Sequence, residues 1–133
     1  MTTDGPLRNG RELAGALRAF HKAVIDAAIA EMPGAPANPF AQLTALMRDP
    51  AFAWLQPLSG LVANTDHVLR TTPNLDPETL RELRRSVEAV LGPTDHDDAH
   101  ELRARIGELT ATHPEVGIAI SDVRRALARL PGD

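Results

Sequence analysis

The side chains suited to acid-base or metal chemistry fall in three places. His96-Asp97-Asp98-Ala99-His100 sets two imidazoles four residues apart, the spacing that lets both reach one metal ion from a single helix face. Asp66-His67 places a carboxylate beside an imidazole, and His21 follows Phe20. A divalent-metal or small-ligand centre would draw on His21, Asp66, His67, His96, Asp97 and His100, because helical bundles hold such centres between facing helices. The chain has no cysteine, which removes thiolate metal sites, iron-sulfur clusters, disulfides and cysteine nucleophiles together.

Each of these motifs also has a plainer account. Asp97 stands where zinc-peptidase helices of the His-Glu-x-x-His type carry a general-base Glu, and a helical wheel turns both His96 and His100 more than about 100° from Leu102 on the core stripe. Asp95, Asp97 and Asp98 suit a first helical turn, where carboxylates complement free amides and the positive end of the helix dipole. Asp66-His67 reverses the order of the His-Asp pair used by metal-dependent phosphohydrolases. Asp66 also precedes Arg70 by one turn, so an i,i+4 ion pair is expected, with His67 turned away from the core. His21 reads as a boundary residue that buries its ring and keeps one nitrogen wet. Gly92, Gly107 and Gly117 follow no strand and form no phosphate-cradling loop, and Ser59 lacks both the Gly-x-Ser-x-Gly surround and the strand that a nucleophile elbow needs. No cofactor is predicted; a divalent metal at the histidines is the alternative.

The elements that position these residues are punctuated by proline, which at a first helical position forfeits no hydrogen bond and is preset at helical φ. Asn38-Pro39, Asp49-Pro50 and Asp76-Pro77 each put a capping side chain before such a proline, and His113-Pro114 is a weaker form. The spacing predicts a first helix from Asn9 to Met32 with Leu13, Leu17, Phe20, Val24 and Ala27 on one stripe, stopped by Pro33-Gly34. A short helix follows over Pro39–Arg48, carrying Phe40, Leu43, Leu46 and Met47. A third, Pro50–Thr71, is bent or restarted by Pro57 between Trp54 and Leu58. The fourth begins at the Asp76 cap, with Leu75 and Leu80 spaced as a hydrophobic staple, and ends at Gly92-Pro93. The fifth runs from Thr94 or Asp95 to Ala111. The sixth presents Val116, Ile120, Val123, Leu127 and Leu130 and is expected to pack antiparallel on the fifth as a helical hairpin.

Two stretches carry more apolar surface than one core explains. Ile25, Ile29 and Met32 lie beside the main stripe of the first helix. Phe52 and Trp54 fall about 200° apart on a helix, so they cannot both face one core, and either one lines a groove or subunit contact. Phe52, Trp54, Pro57, Ile25 and Ile29 are accordingly the expected ligand or partner groove. Ile118, opposite the stripe of the sixth helix, adds to the case for a homodimer.

At 133 residues, with 43% hydrophobic and 24% charged, the chain fits one packed domain. The net charge is −4; residues up to Arg70 carry six basic and six acidic side chains, and those from Thr71 carry eight and twelve. Nucleic acid is disfavoured as a partner, because phosphate contacts need a basic surface and a chain with one Trp and no Tyr offers few stacking rings. No apolar run reaches the roughly 20 residues of a membrane span, and no basic-then-apolar leader opens the chain, so a cytoplasmic protein is expected.

Leu17 to Ala23 and the Phe52-Ala53-Trp54-Leu55-Gln56-Pro57-Leu58-Ser59 block resemble a set of small bacterial helical proteins of unassigned function. The resemblance implies a bacterial, cytoplasmic protein and carries no activity or cofactor. The sequence thus predicts an all-α, single-domain bundle over residues 1–133, with four longer helices, one or two short ones and a flexible tail at 1–8. Its expected role is a non-enzymatic protein-interaction or regulatory module that pairs with itself or another protein.

Overall fold

Proline stands in the first turn of five helices of this chain, and a sixth proline opens a tighter turn between two of them. In the computed structural model, which describes residues 4–31, 37–48, 50–72, 74–92 and 100–131, the order is α1 (Asp4–Ala30), α2 (Pro39–Arg48), a 3₁₀ helix (Pro50–Leu55), α3 (Gln56–Thr71), α4 (Pro77–Leu91), α5 (His100–Thr112) and α6 (Pro114–Ala128). The fold is an all-α bundle, with no strand among the described residues.

The caps act where the sequence places them. Asn38 Oδ1 accepts from the Phe40 and Ala41 amides at 2.8 and 3.3 Å, and Asp76 Oδ1 accepts from the Thr79 amide at 2.8 Å. Each satisfies amides that a helix start leaves without partners. Leu75 and Leu80, the staple pair, are both buried. Gly92 ends α4 at φ +97°, a conformation side chains resist, and donates its N–H to the Glu88 carbonyl at 2.9 Å. The Pro33-Gly34 stop, the Asp49 cap, Pro93 and the expected start of the fifth helix at Thr94 or Asp95 lie outside the described residues, as do the side chains of Leu43 and Leu46.

α1 is the central wall. Leu13, Leu17, Phe20 and Val24 have no exposed surface, and each such side chain contributes about 1.5–3 kcal/mol by leaving water. α1 runs antiparallel to α6: Asn9 Nδ2 donates to the Arg129 carbonyl at 3.3 Å, and Arg129 pairs with Glu12. Val116, Ile120, Val123, Leu127 and Leu130, the expected stripe, are all buried. The expected α5–α6 hairpin forms through His113, whose N–H donates to the Leu109 carbonyl at 2.6 Å, but the most extensive neighbour of α6 is α1.

Two expectations need correction, and the alternative left at Pro57 is decided for a restart. The flexible tail expected at 1–8 is helical from Asp4 onward, where Leu7 packs against the core, and residues 1–3 lie outside the described residues. The third helix is two elements: Pro57 lies in the first turn of α3, where its missing N–H has no helical partner to lose, so the chain restarts at Gln56 after the 3₁₀ turn. That restart resets the helical phase: of the stripe expected along one continuous helix, Phe52, Leu55, Leu58, Val62 and Leu69, only Leu55 and Leu58 are buried, and the buried positions of α3 are Leu58, Leu61 and Thr65. The second correction is Asp66, which pairs across the bundle with Arg18, whose Nη1 donates at 2.6 Å, in place of the expected pair with Arg70.

Candidate functional site

Where α1, α2, the 3₁₀ helix and the start of α3 meet, a cavity of about 530 Å³ is left open. α1 contributes His21 and Ile25, one turn apart, and the 3₁₀ helix contributes Phe52 and Leu55. α3 supplies Gln56, Ser59 and Gly60, and Met47 of α2 closes one side. Phe52 and Leu55 share a wall because three residues make one 3₁₀ turn and stack i on i+3.

The polar feature of this apolar hollow is a pair. His21 Nε2 and Ser59 Oγ lie 3.0 Å apart and share a hydrogen bond between α1 and α3. Burial pushes the half-buried His21 imidazole below its ordinary value, because an imidazolium is poorly solvated there. At neutral pH the ring is therefore uncharged, and Ser59 donates to Nε2 in the tautomer that leaves that nitrogen bare. The carboxylate nearby in sequence, Asp66, is held by Arg18 rather than by His21, so the pair is not extended into a relay of the Ser-His-Asp kind. A neutral imidazole and a hydroxyl offer one acceptor and one donor to an uncharged polar group.

The rim is hydrophobic and wet. Met47 is 72% exposed and Phe40, two turns earlier on the same face of α2, is 79% exposed. Contiguous exposed apolar patches mark contact surfaces, whereas single exposed apolar side chains are ordinary.

Of the residues expected to form a groove, Phe52 and Ile25 line the cavity. Trp54 is in the core, 8% exposed, with the Arg105 guanidinium 5.9 Å from its ring centroid. Pro57 and Ile29 are half-buried and line no part of the cavity. Phe52 and Trp54 thus divide as their angular separation requires. Of the metal set, His67 and His100 are exposed, Asp66 is salt-bridged, and His96 and Asp97 lie outside the described residues. Among the described residues, no three His, Asp or Glu side chains come together to hold an ion. Sequence reasoning missed Ser59 and Met47 as site residues. The signal for Met47 was the Phe40-to-Met47 spacing of two turns, whereas Ser59 had none, because its partner is 38 positions away.

No helix among the described residues is long and apolar enough to cross a membrane. No protein-family model, curated protein or solved structure matches this chain.

Proposed function

We propose that this chain is a non-enzymatic helical interaction module of a bacterial cytoplasm that self-associates through α2 and the groove beside it. The observation that carries the reading is the pair of open side chains on one face of α2, Phe40 at 79% and Met47 at 72% exposure, beside an apolar hollow. A two-fold interface requires one patch to complement itself. A patch with both a ridge and a groove meets that condition, the ridge of each copy entering the groove of the other. Sedimentation velocity from about 1 to 100 µM is the test, a range that brackets a micromolar dimer. A rise from monomer to dimer mass that disappears in Phe40→Asp/Met47→Asp, with helicity and melting temperature kept, supports the reading. A monomer throughout that range, or a double variant that still dimerises, defeats it.

A second reading rests on the His21–Ser59 pair. A cavity of about 530 Å³ falls in the usual size range for small-molecule pockets, which are largely apolar with a few polar groups. The same hollow would then hold an uncharged apolar molecule with one hydroxyl or carbonyl set against that pair. Native mass spectrometry of gently purified protein separates the readings: retained mass lost in Ser59→Phe supports a ligand, and a bare protomer or dimer removes it.

A further inference from the structure

The His21–Ser59 pair does more than tie α1 to α3: the direction of its hydrogen bond sets which head group the hollow holds. Thr44, Thr71, Ser86 and Thr110 each turn the hydroxyl back onto the carbonyl one helical turn earlier, at 2.9, 2.8, 3.0 and 2.7 Å. Among the described residues Ser59 makes no such bond, and its one partner is His21 Nε2 at 3.0 Å. The Ser59 O–H is therefore committed to that nitrogen, and what its oxygen still offers is lone pairs.

One turn earlier on the same face of α3, Gln56 lines the hollow with a carboxamide, which both donates and accepts. The bulk of the wall is Ile25, Met47, Phe52 and Leu55, and no Lys, Arg, Asp or Glu is among the described residues that line it. These groups sort ligands by head group. A hydroxyl can donate to Ser59 Oγ and accept from the Gln56 amide through a single oxygen. A ketone carbonyl only accepts, so it reaches Gln56 and leaves Ser59 Oγ without the donor that water had supplied. A carboxylate would lose hydration with no cation on the wall to replace it.

We propose that the hollow selects an aliphatic alcohol over the ketone or carboxylate of the same skeleton, its hydroxyl donating to Ser59 Oγ and its chain lying against Ile25, Phe52 and Leu55. The inference rests on the small-ligand reading of the hollow and narrows it to one head group.

The test is a chemical-shift titration of the full chain with 1-octanol, 2-octanone and octanoate near neutral pH. Saturable shifts at Ile25 and Gly60 are expected, with 1-octanol about three- to tenfold tighter than 2-octanone, the worth of one hydrogen bond, and octanoate weaker again. Ser59→Ala should loosen 1-octanol by that factor and leave 2-octanone unchanged, a split that a merely structural role for Ser59 would not produce. A proton–nitrogen correlation spectrum of the unliganded chain should show His21 protonated at Nδ1 and bare at Nε2. Binding of 2-octanone or octanoate as tight as that of 1-octanol, an alcohol preference that survives Ser59→Ala, or a proton on Nε2 overturns the selectivity and leaves the small-ligand reading standing. No saturable shift with any of the three removes that reading and the selectivity with it.

Discussion

The groove at α1, α2 and α3 and a hollow between α5 and α6, lined by Ile106, Gly107, Gly117 and Ile120 and edged by Arg103 and Arg124, are nearly equal in volume, about 530 and 540 Å³, yet they present different chemistry. The first has a neutral imidazole and a hydroxyl on an apolar wall; the second is rimmed by guanidiniums. The difference runs against the bulk charge. Residues from Thr71 onward carry twelve acidic and eight basic side chains, while those before carry six of each, so the arginine-edged hollow lies in the more acidic half. Net charge describes the average field around a protein, and a cleft is defined by the few side chains whose helical positions face inward.

The largest test of this comparison strikes the wall common to both halves. α1 packs on α3 and on α6, and truncating its fully buried Phe20 to Ala should cost about 3–5 kcal/mol in urea unfolding and destabilise both halves in one transition. Loss confined to one half would mean that the two regions fold separately. Smaller in size and opposite in sign is Thr65→Val in α3. Thr65 is fully buried and its hydroxyl has no hydrogen-bond partner among the described residues, so the isosteric change should stabilise the chain by about 1 kcal/mol. No gain in thermal midpoint would mean that the hydroxyl is satisfied.

Arg18→Ala removes the α1–α3 ion pair with Asp66, and both partners are solvent-accessible, at 55% and 35%, so the expected loss is under about 1 kcal/mol and shrinks further in high salt. A larger, salt-insensitive loss would assign the pair a structural role. The smallest effect sharpens the chemical contrast between the two regions. Burial keeps the folded His21 imidazole below its unfolded value, so as pH falls the unfolded chain takes up the proton first. Stability is therefore full above about pH 6.5 and declines as pH drops through the folded value. The urea midpoint of the native chain should fall more than that of His21→Gln between about pH 7.5 and 5, and equal falls would remove desolvation as the cause.

Much of the fold was legible because its signals are local. A capping oxygen, a first-turn proline and an apolar repeat act within a few residues, so Asn38, Asp76, Pro77 and Gly92 bound helices where expected. The Leu13-to-Ala27 stripe is buried for the same reason. Pro57 shows the limit of local reading: the residue permits either a bend or a restart. The tighter turn before it led to the restart, and the restart shifted which face of α3 is buried.

The sequence by itself determined the all-α class, the entries of α2, α4 and α6 and the inward stripes of α1 and α6, since each follows from short-range sterics and the 3.6-residue period. Tertiary structure alone decided that His21 meets Ser59, that Asp66 meets Arg18 rather than Arg70, and that Arg103 of α5 and Arg124 of α6 edge one hollow. Those meetings depend on how whole helices settle against one another, and a helix's own periodicity says which face it buries but not which neighbour covers it.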